Sequence, residues 1–67
     1  MNTIERVHEL ADERNISLFT LSKICQVPYS TLKNAETRNS QLTVDTIELI
    51  CTGIGISLSD FFAEENV

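Results

Sequence analysis

The stretch from Ser17 to Glu36 has a proline between two short helical patterns, and this break constrains the fold more than any other feature. Leu21 and Cys25 lie four residues apart, so both occupy one face of the first helix. Ser17 precedes that helix and can cap it, because its side-chain oxygen accepts from free backbone N–H groups. Val27 should be extended, since a residue before proline is biased out of the α region. The stretch therefore predicts two helices joined by a tight turn.

The second helix of this stretch should begin at the proline. Pro28 suits the start of a helix because the N–H that it lacks would have no partner there. We predict a helix from about Pro28 to Ala35, with Leu32, Ala35 and the methyl group of Thr31 directed inward. The side chains predicted to face outward are Tyr29, Ser30, Lys33 and Asn34. A helix with few apolar anchors and many donors on its outer face is suited to insertion into a partner.

The other segments predict three further helices and no strand. Apolar residues recur at helical spacing from Ile4 to Ala11, in a first helix that ends near Arg14-Asn15. Thr37 to Gln41 is polar without periodicity, which predicts an exposed loop. Thr43 should cap a fourth helix that stops at Gly55. The buried stripe predicted for this fourth helix consists of Val44, Ile47, Ile50, Cys51 and Ile54.

The last helix should be short and should bear Leu58, Phe61 and Phe62. We therefore predict an all-α fold, a compact bundle of five short helices. It should form a single domain over residues 1–67, with its core in residues 3–63 and an acidic tail at 64–67. A chain of this length buries only about 60% of its unfolded surface, which allows one small core.

Composition and residue types argue against several classes of function. No apolar run approaches the ~18 residues of a membrane span, and the first residues do not resemble a signal peptide. We therefore expect a cytoplasmic protein with no membrane partner. Cys25 and Cys51 should be buried thiols, and His8 a surface residue, so we expect no metal site and no cofactor. Neither a catalytic triad nor a glycine-rich phosphate loop is present, so we expect no enzyme and no small-molecule substrate.

The formal net charge of −5 is unevenly distributed along the chain. Residues 1–14 carry −2 and residues 42–67 carry −5. Residues 15–41 carry +2, from Lys23, Lys33 and Arg38 against Glu36. Because nucleic acid attracts local positive charge, this distribution allows a DNA binding that the net charge alone would oppose.

Several short motifs occur together in an order and spacing typical of one family. These motifs are Ile16-Ser17, Leu21, Val27, Ser30-Thr31-Leu32, Glu36, Thr43-Val44-Asp45-Thr46-Ile47 and the segment from Gly55 to Phe62. With them the chain resembles the lambdoid phage repressor and Cro-like helix-turn-helix domains, the XRE-like group, from Ile4 to Phe62. The resemblance implies a sequence-specific DNA-binding transcriptional regulator, a small repressor whose third helix reads the major groove.

The resemblance also implies which residues contact double-stranded DNA. The implied base-contacting residues are Tyr29, Ser30, Lys33 and Asn34, and their donors suit base edges. The implied phosphate-contacting residues are Ser17, Lys23, Arg38, Asn39 and Ser40. Any of these residues can instead be an ordinary cap or surface residue. The expected assembly is a homodimer on a pseudo-palindromic site.

The chain departs from the family pattern within the helix-turn-helix. Leu18 stands where a phosphate-contacting glutamine is usual, and Ser22 and Gln26 stand where alanine and glycine are usual. Ser22 should bond back within its helix, and Gln26 should become left-handed unless the turn adjusts. Four residues are apolar at positions that are commonly polar, which favours either a homodimer interface or an enlarged core equally. These residues are Leu18, Phe19, Ile24 and Leu49.

A second function on the same fold is a protein-interaction module, antitoxin-like or anti-repressor, with little DNA binding. The acidic net charge and the weakly basic central segment favour it. Leu18 and Phe19 favour it as well, because exposed apolar side chains are typical of protein-binding surfaces.

Overall fold

The computed structural model describes residues 1–63, and these residues form five α-helices and no strand. The helices are α1 (Thr3–Glu13), α2 (Leu18–Cys25), α3 (Tyr29–Arg38), α4 (Val44–Ile54) and α5 (Leu58–Phe62). The predicted all-α bundle of five short helices is confirmed, while the predicted acidic tail at 64–67 lies outside the described residues. Over residues 1–63, no helix has both the length and the apolar character needed to cross a bilayer.

Capping side chains define where four of the five helices begin. The side-chain oxygen of Asn2 accepts from two backbone N–H groups of α1. Ser17, Thr43 and Ser57 cap α2, α4 and α5 in the same way. Pro28 stands at the cap position of α3 and makes no such bond. A side-chain cap stabilises a helix by about 1 kcal/mol, so α3 depends more on packing than its neighbours do.

The five largest fully buried side chains come one from each helix. They are Val7, Leu21, Leu32, Ile50 and Phe61. Full burial of an apolar side chain of this size contributes about 1.5–3 kcal/mol. Each helix therefore contributes a buried side chain to the same core, and this shared core fixes the orientation of α3.

The end of α3 differs from the sequence prediction. The helix does not stop at Ala35, and Thr37 and Arg38 belong to its last turn rather than to a loop. Asn39 ends it by adopting a left-handed conformation with φ of 54°, and the N–H of Ser40 donates to the carbonyl of Ala35 at 3.0 Å. No residue between 35 and 39 breaks a helix, so the helix continues until a left-handed residue can end it.

The buried stripe of α4 also differs at its first residue. Val44 is 62% exposed, so the prediction that it is buried is wrong. Leu42, two residues earlier, is buried at this end of the core, and its N–H donates to the Thr3 hydroxyl at 2.8 Å. The chain thus enters the core before the helix begins, which leaves the first helical residue outside. Ile47, Ile50 and Cys51 are buried as predicted.

The four unexpected apolar residues do not share one role. Leu18 is partly buried and packs against the core, which confirms an enlarged core for this residue. Phe19, Ile24 and Leu49 are each about half exposed, so they do not enlarge the core. Ile24 and Leu49 line the same open groove between α2 and α4, together with Asp45 and Glu48.

Hydrogen bonds from α1 hold the segment that follows α3. The oxygen Oε1 of Gln41 accepts from the Thr3 backbone N–H at 2.9 Å and from the Thr3 hydroxyl at 2.8 Å. One turn further along α1, Arg6 donates to the backbone carbonyls of Phe61 and Asp60 at 2.6 and 2.8 Å. Because Thr3 is buried, loss of its partners would leave polar groups unsatisfied. These bonds fix α5 and the loop after α3 to α1.

Helices α2 and α4 approach each other closely at one glycine. A Cβ atom at Gly53 would lie 2.8 Å from the Cα atom of Cys25, closer than real side chains pack. The Cys25 thiol also donates to the carbonyl of Ile50 at 3.5 Å. Both cysteines are free and buried, as predicted, and burial raises the pKa of each thiol. The contact needs glycine at residue 53.

We expect Gly53→Ala to lower the free energy of unfolding by about 1–3 kcal/mol, because the new methyl group overpacks against the α2 backbone. An alanine in an exposed helix would instead stabilise by about 1 kcal/mol relative to glycine. Denaturant unfolding measures the difference, with Thr52→Ala on the exposed side of α4 as the control. A Gly53→Ala variant as stable as the wild-type protein would contradict the close approach.

Candidate nucleic-acid interface

The turn between α2 and α3 sets the direction in which α3 leaves the core. Gln26 is left-handed, with φ of 59° and ψ of 38°, which confirms the first of the two expectations for this residue. Its N–H donates to the carbonyl of Lys23 at 3.3 Å, and the N–H of Val27 donates to the carbonyl of Ser22 at 3.0 Å. These two bonds form a Schellman motif, which satisfies the free carbonyls at the end of α2. Val27 is then buried, and Pro28 starts α3.

Ser22, which stands where alanine is usual in the family, is accommodated by a hydrogen bond within α2. It is buried, and its hydroxyl donates to the carbonyl of Phe19 at 2.6 Å within α2, as predicted. A buried hydroxyl without a partner would cost stability, so this bond makes serine acceptable at a position next to the core.

The outer face of α3 consists of Tyr29, Ser30, Lys33 and Asn34, and all four residues are exposed as predicted. On the inner face Leu32 and Ala35 are buried. The separation of the two faces is the property that a groove-binding helix needs, since its polar side chains must be free to meet a partner. The outer face carries an ammonium, an amide and two hydroxyl groups, all of which can donate to base or phosphate oxygens.

Phe19 joins α2 to the outer face of α3, a contact that sequence reasoning missed. Its ring meets the ring of Tyr29 edge to face, with centroids 5.3 Å apart and planes at 83°. The Lys23 ammonium lies 5.1 Å from the centroid of the Phe19 ring. Edge-to-face pairs and cation–π contacts each stabilise by about 0.5–1.5 kcal/mol. Phe19 therefore orients one base-contacting and one phosphate-contacting candidate, and the only sequence signal was an aromatic residue at a polar position.

Lys33 forms an ion pair that sequence reasoning also missed. Its ammonium lies 2.8 Å from Oε1 of Glu36, one helical turn further along α3. The other carboxylate oxygen of Glu36 lies 2.6 Å from Nε2 of His8 on α1. The hydrogen bond from Lys33, and then that from His8, lowers the pKa of the Glu36 carboxyl. The same carboxylate raises the pKa of Lys33, so both partners of the pair are charged near pH 7.

The candidate phosphate contacts lie in two places. Ser17 caps α2, where its hydroxyl oxygen accepts from the N–H of Thr20 at 3.1 Å, and Lys23 lies in the last turn of the same helix. Arg38, Asn39 and Ser40 lie together at the end of α3 and just after it, and all three are exposed. The bonds from Thr3 to Gln41 hold the loop that carries Asn39 and Ser40. The structure therefore presents candidates at both ends of α2 and at the end of α3.

The groups that the outer face of α3 offers are hydrogen-bond donors, and no metal-binding cluster lies among the described residues. Among residues 1–63, no group of three or more histidine, cysteine or carboxylate side chains is placed to bind a metal ion. Hydrogen-bond donors and local positive charge are what the outer face of α3 provides. Such groups recognise a partner that carries acceptors and negative charge, which is the chemistry of a duplex groove.

Comparison with known proteins identifies one family. The family model described as the Cro/C1-type HTH DNA-binding domain matches residues 6–65, which is most of the chain. The comparison with curated proteins and the comparison with solved structures each give no match. The matched range contains the whole of α2, the turn and α3. It therefore agrees with the resemblance carried by the sequence motifs.

We expect Gln26→Gly to raise the free energy of unfolding by about 0.5–1 kcal/mol, because the left-handed strain that glycine removes, about 1–2 kcal/mol, is larger than the extra chain entropy that glycine loses on folding. Thermal or denaturant unfolding measures the change. Gln26→Ala is the matched control, since it shortens the side chain without relieving the strain. A glycine variant no more stable than the alanine variant would show that the turn is unstrained.

Proposed function

The chain belongs to the Cro/C1-type HTH DNA-binding domain family, and from this premise we propose that it is a sequence-specific transcriptional regulator, a small repressor. The observation that carries the proposal is the exposed outer face of α3, held by the turn at Gln26 and anchored through Leu32. In helix-turn-helix domains the second helix of the motif lies in the major groove while the first crosses the backbone. In this chain α3 would lie in the major groove, and α2 would cross the backbone.

Base recognition is assigned to the outer face of α3. Lys33 donates to the O6 and N7 acceptors of guanine, and Asn34 pairs with the N6 and N7 groups of adenine. Ser30 donates or accepts. Tyr29 donates to a phosphate or lays its ring against a thymine methyl group, and the edge contact from Phe19 supports its position.

Phosphate contacts are assigned to the two ends of the motif. Ser17 acts together with the free N–H groups of the first turn of α2, which carry the positive end of the helix dipole. Lys23 adds a charge on α2, and Arg38, Asn39 and Ser40 add donors after α3. Contacts at both ends fix the register of α3 in the groove. Because cations contact phosphates, binding should weaken as salt is raised, and because only a few cations take part, binding of one copy should be moderate in strength.

Two copies on a pseudo-palindromic operator complete the proposal. Half-sites about 34 Å apart would place two α3 helices in successive major grooves on one side of the duplex. The bound dimer then blocks the polymerase by occupying the operator, and no reaction is catalysed. The half-exposed Ile24 and Leu49 support an association between copies, since apolar side chains gain from being covered.

A protein-interaction module is the second candidate, and the groove between α2 and α4 favours it. Ile24 and Leu49 are exposed there beside the carboxylates of Asp45 and Glu48. An apolar groove with acidic neighbours suits a partner segment that has both apolar and basic side chains. A stable protein complex combined with no DNA affinity at low salt would select this candidate.

Selection of bound sequences from a random duplex pool tests the regulator directly. We expect enrichment of a pseudo-palindromic site. On that site Lys33→Ala and Asn34→Ala should each weaken binding by about 5- to 150-fold, the range for the loss of one good base contact. Ser59→Ala, exposed on α5 and away from α3, is the control and should bind as the wild-type protein does. Equal affinity for selected and random duplexes would contradict the proposal.

A further inference from the structure

We infer that Glu36 masks Lys33 and thereby limits the binding of this domain to non-specific DNA. The inference rests on the proposed function, because it assigns a second role to the same face of α3. It concerns a residue that contacts no DNA in that proposal and that acts through its neighbour.

The geometry places Glu36 in direct competition with DNA for Lys33. The ammonium and the carboxylate oxygen are 2.8 Å apart, and the two side chains are 48% and 36% exposed. An exposed pair of this kind can open when a stronger acceptor arrives, so the mask is removable. The partners lie three positions apart on one helix, so no change of fold is needed to open the pair.

His8 holds the mask in place from a second helix. Its Nε2 atom bonds to the oxygen of Glu36 that Lys33 does not use. With one oxygen tied to α1, the Glu36 side chain loses rotamer freedom and presents its other oxygen to Lys33. The lowered pKa of Glu36 and the raised pKa of Lys33 agree with this arrangement, because each reflects the same hydrogen bond.

Charge makes the effect larger on non-specific DNA than on an operator. Glu36 is the only carboxylate residue between positions 15 and 41, where three cations provide the positive charge. Non-specific binding depends almost entirely on such charge, so one masked cation and one repelling carboxylate weaken it directly. At an operator, a guanine edge offers Lys33 two fixed acceptors that can replace Glu36.

Glu36→Gln tests the inference, because glutamine keeps the size of the side chain and removes its charge. The matched control is Glu48→Gln, which makes the same change of net charge at an exposed residue of α4. Both variants are compared with the wild-type protein on a random-sequence duplex at about 50 mM salt, where charge-driven binding is strong. Lys33→Ala and the double variant Lys33→Ala/Glu36→Gln complete a double-mutant cycle. Circular dichroism checks that each variant is folded.

We expect Glu36→Gln to bind the random duplex about 2- to 5-fold more tightly than the wild-type protein, the size expected from opening an exposed ion pair. Glu48→Gln should gain less, and when Lys33 is alanine the gain from Glu36→Gln should fall to the smaller part that comes from the lost repulsion between the carboxylate and DNA. An equal gain in both glutamine variants, a gain from Glu36→Gln that is undiminished without Lys33, or no binding by any variant would overturn the inference. Selective binding of the wild-type protein to a selected duplex would leave the proposed function intact in each of those cases.

Discussion

The left-handed turn at Gln26 is the constraint on which the arrangement of the interface depends. Its two backbone hydrogen bonds end α2, and the buried Val27 and the fixed φ of Pro28 then start α3 in a new direction. Since Leu21 and Leu32 are fully buried on either side of the turn, the angle between the helices is set by the core as well as by the backbone. The outer face of α3 projects from the domain because the backbone of the turn and the packing of the core favour the same direction for this helix.

Local signals in the sequence predicted much of this fold. Ser17, Thr43 and Gly55 mark helix ends through their own chemistry, and Pro28 marks the turn, so helix number and order followed from neighbours in the chain. The end of α3 was misplaced because Thr37 and Arg38 carry no strong signal, and only the conformation of Asn39 decides it. Val44 was misassigned because its exposure depends on where Leu42 enters the core, which periodicity does not reveal.

The exposure of the candidate site could be predicted from helical spacing, but the contacts among its residues could not. His8 and Glu36 are 28 residues apart in sequence, and only the packing of α1 against α3 brings them within hydrogen-bond distance. Likewise, the sequence does not reveal the role of Phe19, because only the turn between α2 and α3 brings its ring against that of Tyr29. An acidic domain thus presents a face rich in hydrogen-bond donors, and the carboxylate of Glu36 is held against the one lysine of that face by another helix.

A titration of isotope-labelled protein with a selected duplex, followed by NMR, tests the central claim most directly, because it reports which residues meet DNA. We expect the largest changes in amide shift on α3 from Tyr29 to Asn34 and on the first turn of α2. Changes confined to the groove at Ile24 and Leu49, with α3 unaffected, would contradict it.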